Sequence, residues 1–249
     1  MPRPLSAQEM LVIWERGLHQ HPVERALTML SVALPEFAPD ALLALTIGQR
    51  DAYLLALHEI TFGARLESVV ECPACQERLE FTLNVADIRT APEREVGNTG
   101  ETGEQQATID GYEMSFRLPN SRDLITIARL LDVGQARSTL VQRCLIEAKR
   151  DGESVAVADL PESVIAGLAE QMARLDPQAE VQLNLCCPAC EHRWSLLFDI
   201  VSFLWAEIGG QARRLLRDVH TLARAYGWRE ADILSMSTVR RQYYLEMVT

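Results

Sequence analysis

Two copies of one tetrapeptide, Cys72-Pro73-Ala74-Cys75 and Cys187-Pro188-Ala189-Cys190, constrain this chain more than any other feature. A C-P-x-C turn lets both sulfurs converge on one point, and amides within the turn can donate to them. Two such turns supply four thiolates, the donor set of a tetrahedral structural zinc site. The flanks repeat as well. With Cys72 set against Cys187, Arg78 falls opposite Arg193 and Asn84 opposite Asp199. Leu79, Phe81 and Leu83 then fall opposite Trp194, Leu196 and Phe198. Alternate side chains of a strand share one face, so each turn should lead into a strand with one buried side. Val69-Val70 precede the first turn, and Val181, Leu183 and Leu185 the second, as incoming strands. The pattern predicts a split zinc ribbon: two knuckle hairpins holding one structural zinc ion through Cys72, Cys75, Cys187 and Cys190.

Unrelated pairs of reduced cysteines, or a redox pair, are the competing readings. A thioredoxin-like site uses one C-x-x-C at the start of a helix, whereas both pairs here enter strands. The first ten residues carry no apolar export signal, and a reducing compartment disfavours disulfides, which points to a metal. Cys186 falls opposite Glu71, outside the repeat, and reads as a spare thiol. His192 could replace a thiolate, but four well-spaced cysteines suffice. A closed four-thiolate site leaves no position for water or substrate, so the metal is expected to be structural.

The remaining composition narrows the function. The 24 basic and 35 acidic side chains leave a net charge of −11. That balance opposes broad binding to nucleic acid or to anionic membrane. No apolar run approaches the ~20 residues of a membrane span. The single lysine, Lys149, lies among charged neighbours and is a poor catalyst. No Walker loop, G-x-S-x-G, H-E-x-x-H or glycine-rich dinucleotide turn occurs. An enzyme and a small-molecule substrate are therefore not expected.

Around the knuckles the periodicity is mostly helical, so the expected class is α+β and mainly α-helical. Residues 1–64 form a helical segment: Ser6 with Glu9 and Thr46 with Gln49 have capping-box spacing, and Pro22 suits a first turn. His58 reads as a packed or surface histidine. Residues 65–118 hold the first knuckle hairpin, an acidic loop or hairpin tip over 89–107 and a strand from Tyr112 to Leu118 after the Asp110-Gly111 turn. Residues 119–178 read as a helical insertion. Ser121 caps its first helix, a second carries Leu140, Val141, Cys144, Leu145 and Ala148, and Pro161 opens a third with Val164, Leu168, Met172 and Leu175 inward. Cys144 reads as a buried apolar thiol. The second knuckle hairpin occupies 179–200, and a helical segment follows over 201–249. In that tail Leu215, Val219, Leu222 and Tyr226 form a stripe, Gly227 marks a stop, and two short helices follow.

Four stretches stand out: Leu118-Pro119-Asn120-Ser121-Arg122-Asp123-Leu124, the second knuckle through Phe203-Leu204-Trp205, Leu215-Leu216-Arg217-Asp218-Val219-His220, and Ala225-Tyr226-Gly227-Trp228-Arg229-Glu230-Ala231-Asp232-Ile233-Leu234 with Arg240-Arg241. In these the chain resembles the T4-like phage baseplate protein family, of the baseplate hub assembly type, which also occurs in phage-derived contractile injection systems. The resemblance covers roughly residues 60 to 249. It implies a structural or assembly protein with other baseplate or hub proteins as partners, and no catalytic site. It implies a place in the bacterial cytoplasm during assembly, or in the tail or injection particle. Trp205, Trp228, Arg240, Arg241, Tyr243 and Tyr244 are the candidate partner surface, since aromatic and arginine side chains are favoured interface anchors. The competing reading is a zinc-ribbon nucleic-acid-binding or transcription accessory protein. Its contacts would be Arg229, Arg240 and Arg241, because residues 211–249 hold seven arginines against four acids.

Overall fold

The computed structural model describes residues 1–90 and 103–248, an α+β chain that is mainly helical. It opens with four helices: α1 (Ala7–Gly17), α2 (Pro22–Ala33), α3 (Pro39–Ala44) and α4 (Ile47–Phe62). Both expected capping boxes form, Ser6 with Glu9 and Thr46 with Gln49. Pro22 and Pro39 each sit in a first turn, where a missing N–H costs nothing. His21 caps α2, its Nδ1 accepting from the Val23 amide at 3.4 Å, a cap that the spacing did not suggest.

Strands β1 (Arg65–Glu71) and β2 (Arg78–Asn84) pair antiparallel around the first knuckle. Strands β7 (Gln182–Cys186) and β8 (Arg193–Leu197) do the same around the second. Leu79, Phe81, Leu83, Trp194, Leu196 and Phe198 alternate with exposed residues, as the spacing requires, and are half-buried. The repeat continues past the strands. Asn84 caps α5 (Val85–Ile88) by accepting from the Ala86 amide at 3.2 Å. Asp199, its counterpart, caps α9 (Ile200–Tyr226) by accepting from the Val201 amide at 2.9 Å. One exit helix stops after a single turn, and the other runs for 27 residues.

Helix α9 crosses α1, α2 and α4, and with them builds the larger hydrophobic core. Buried members include Ile13, Leu30, Leu54 and Leu57 from the first part of the chain, and Leu204, Ile208 and Leu215 from α9. Gly227 ends α9 with φ of 68°, a conformation that favours glycine. Helices α10 (Glu230–Ser235) and α11 (Thr238–Glu246) follow.

Between the knuckles lies a second core of Tyr112, Met114, Phe116, Leu145, Ala148, Leu160, Val164 and Leu168. Its sheet runs β3 (Glu104–Ile109), β4 (Tyr112–Arg117), β5 (Leu145–Arg150), β6 (Glu153–Ser154), all antiparallel. Helix α8 (Glu162–Leu175) covers it, and Gly167 leaves room for Ile109, which a Cβ would meet at 2.7 Å.

This body corrects three expectations. First, the insertion is only partly helical: α7 (Val133–Cys144) ends where a helix through Ala148 was expected, and Leu145 and Ala148 stand on β5. The register explains the misleading spacing. Phe116 pairs with Leu145 and Ser115 with Glu147, so Ile146 is an extra residue in the strand. Such a bulge puts residues three apart on one face, as in a helix. Second, Glu104 to Ala107 belong to β3 rather than to a loop; residues 91–102 of the expected acidic loop lie outside the described residues. A polar strand suits β3 because it lies at a sheet edge. Third, Asn120, not Ser121, caps α6 (Ser121–Ile127), accepting from the Arg122 amide at 3.0 Å.

The two bodies meet at the N-terminus of α4. Asp176, just beyond α8, accepts from the Gly48 amide at 2.9 Å, and the Ile47 amide donates to the Pro119 carbonyl at 3.2 Å.

Candidate metal centre

The four repeated cysteines converge. Each knuckle turns identically: Cys72 N donates to Glu77 O at 2.9 Å, and Cys187 N donates to His192 O at 2.9 Å. The residue after each second cysteine is left-handed, Gln76 at φ 63° and Glu191 at φ 58°. That conformation closes the turn so that its amides face the sulfurs. Cys72 Sγ lies 3.7 Å from Cys190 Sγ, and Cys75 Sγ lies 3.6 Å from Cys187 Sγ. All four sulfurs lie within 4.8 Å of one another, across 112 positions of sequence. None is in a disulfide. A tetrahedral ion with Zn–S bonds of about 2.3 Å requires S···S edges of about 3.8 Å, so the set fits that group. Cys72 and Cys187 are buried, whereas Cys75 and Cys190 face solvent. Cys186 is not one of the four; its sulfur points to the Cys187 and Glu191 carbonyls.

The electrostatics favour a cation. Burial opposes the Cys72 thiolate, yet the Cys75 and Ala74 amides and the neighbouring sulfurs outweigh it and bring its pKa to about 7. At Cys75 the Glu77 amide favours the thiolate, but the Cys190 sulfur, burial and the Cys187 and Cys72 sulfurs push the pKa up to about 12. Four bare thiolates this close repel one another. A divalent cation removes that conflict and lets all four ionise together.

The structure places the six candidate partner residues differently. Trp205 belongs with the larger core: a Cβ at Gly17 would meet its ring at 2.4 Å, and the Arg25 guanidinium lies 4.4 Å above it. Arg241 is buried, with Nε donating to Asp218 Oδ2 at 3.1 Å, which ties α11 to α9. Trp205 is half-buried, and Arg241 shows only an inner wall of a cleft between α9 and α11. Trp228 and Tyr244 pack edge-on at 4.8 Å, Tyr226 stacks on Trp228 at 4.4 Å, and the Arg240 guanidinium lies 5.8 Å from the Tyr244 ring. Tyr243 is exposed beside them. His58 is packed between Phe62 and Phe203, where burial holds its pKa below the ordinary histidine value.

One charged cluster escaped the sequence reading. Asp123 is fully buried, held by Arg117 at 2.6 and 2.8 Å and by Arg143 at 2.7 Å. Burial alone would raise its pKa; the two guanidiniums and the Asn120 amide hold it below the usual carboxylate value. The N-x-x-D spacing of Asn120 and Asp123 was the available signal, since it is a capping box. Its arginine partners, on β4 and α7, follow no local spacing.

A family model described as T4 bacteriophage base plate protein matches residues 24–205, most of the chain. The match begins in α2 and ends at Trp205, so it takes in both knuckles and the Leu118–Leu124 stretch; the resembling stretches of the tail lie beyond it. Comparisons with curated proteins and with solved structures return no match.

Proposed function

The chain belongs to the T4 bacteriophage base plate protein family, and from that premise we propose a structural or assembly protein of a contractile, phage-tail-like baseplate. It is held together by one structural zinc ion in a split ribbon made of the two knuckle hairpins. The family match over residues 24–205 carries the baseplate part of this reading. The four sulfurs within 4.8 Å support the zinc part.

Cys72, Cys75, Cys187 and Cys190 would be the ligands, and the ion would supply four metal–sulfur bonds with no open coordination position. The chain's own residues do the rest. The knuckle amides stabilise the sulfurs, and the strands fix their direction. Asn84 and Asp199 launch the helices that enter the larger core. The ribbon thus sets the long α9 against the N-terminal helices, and holds the intervening sheet body beside them. The domains implied are a helical segment over 1–64, the knuckle hairpins within 65–118 and 179–200, the inserted body over 119–178 and a C-terminal segment over 201–249. Partners are other baseplate or hub proteins, met through the C-terminal end, where Trp228, Arg240, Tyr243 and Tyr244 gather. The protein works in the assembling cell and in the tail particle, of a phage or of an injection system.

The test is co-purification of the tagged chain from cells expressing the genes beside its own. Recovery of tail hub, spike or wedge proteins at stoichiometric amounts supports the reading. Retention of nucleic acid that falls with salt, without tail proteins, overturns it.

A further inference from the structure

Helices α9 and α11 enclose a cleft of about 310 Å³, lined by Arg214, Arg217 and Asp218 from one helix and by Arg241 and Gln242 from the other. Arg214 and Asp218 are four residues apart on α9 and therefore share a face. Three guanidiniums meet one carboxylate here, in a chain whose net charge is −11. Arg241 is 3% exposed, so it forms the inner wall. Its Nε is used by Asp218, but its Nη1 is buried without a hydrogen-bond partner. Arg214 and Arg217 are exposed and make no close ion pair among the described residues, and Arg214 feels the charge of Glu207, two turns back on α9, only at longer range.

Arg217 and the Nη1 of Arg241 are left without an acidic partner among the described residues. A buried donor left unpaired is costly, and exposed arginines gathered around it favour an incoming anion. We propose that the α9–α11 cleft is a socket for a carboxylate of a partner protein, an Asp or Glu side chain or a chain-terminal carboxylate. The planar guanidinium fork matches a carboxylate through paired hydrogen bonds. A nucleic-acid strand fits less well: a polyanion needs a long basic track, and here the basic groups converge on one small concavity. The inference rests on the reading that this chain acts through protein contacts, and it names the chemistry of one of them.

The experiment uses the whole 249-residue chain, purified with zinc present. Binding of a fluorescent pentaglutamate peptide is measured at low salt, beside pentaglutamine and a single-stranded oligothymidylate. Arg214→Gln with Arg217→Gln is the test variant, both residues being exposed and absent from the hydrophobic core. Arg224→Gln, outside the cleft, is the control. The expected result is pentaglutamate binding that weakens by about tenfold or more in the double variant, holds in the control, and is absent for pentaglutamine. No pentaglutamate binding, equal binding by the double variant, or a preference for the oligonucleotide would overturn the socket. Co-purification separates this failure from that of the wider reading. Tail proteins retained equally by wild type and double variant sink the socket alone, whereas their absence from wild type sinks the baseplate role.

Discussion

The two hydrophobic bodies of this molecule are closed in different ways. The sheet body draws its core from residues 112 to 168, joined by hairpins and one covering helix. The larger body draws its core from residues 5 to 88 and again from 200 to 234, with the whole sheet body between them. Closing a long loop costs more chain entropy than closing a hairpin. The four cysteines stand where that closure is longest, one pair at each end of the intervening stretch. The body assembled from distant segments is thus the one that carries the four-cysteine cluster, and the locally wired body has no such cluster among the described residues.

The largest effect should come from taking the proposed ion away. A structural zinc site contributes apparent free energy on the order of 10 kcal/mol or more. Chelation, or Cys72→Ser, should strip amide-exchange protection from β1, β2, β7, β8 and α9 while β4, β5 and α8 keep theirs. Equal loss in both bodies would break the contrast.

The next effect reverses the pattern. Asp123→Ala removes the buried acceptor of Arg117 and Arg143, at about 2 kcal/mol, the scale of charge-assisted hydrogen bonds lost while the half-exposed guanidiniums turn to solvent. The loss should fall on the β4–α6–α7 junction and leave zinc content unchanged. The pH dependence has a definite sign. The Asp123 pKa is lowered by folding, so its contribution is full above the unfolded value of about 3.9 and is lost as pH falls from there through the folded value. Wild type and Asp123→Ala should therefore converge in stability below that range.

A smaller change tests the joint between the bodies. A Cβ at Gly48 would lie 1.9 Å from Asp176 Oδ1, so Gly48→Ala must expel that carboxylate from the N-terminus of α4. Loss of such a cap costs about 1 kcal/mol, read by denaturant unfolding. Smallest of all, Cys186→Ser should change neither zinc content nor stability by more than about 0.5 kcal/mol. A fall in zinc to near zero would show that the four ligands are wrongly chosen.

The same contrast explains what the sequence made legible. The knuckles and their strands repeat a local pattern, so registering Cys72 on Cys187 already aligned Asn84 with Asp199, and both prove to be helix caps. Two of the N-terminal helices, α1 and α4, announced themselves through capping boxes. The sheet body was harder. Its bulge at Ile146 imitated a helical period, and the polar β3 lacked an apolar signal because it lies at an edge. For Trp205 and Arg241, residue type carries no information about packing. Only packing shows the indole against Gly17 and the guanidinium on Asp218.

X-ray absorption at the zinc edge, with the metal content of the same purified sample, tests the central claim most directly. One zinc per chain with four sulfur neighbours at about 2.3 Å is the expected result. Fewer than four sulfurs around the ion, or a metal-free chain that remains fully folded, would contradict it.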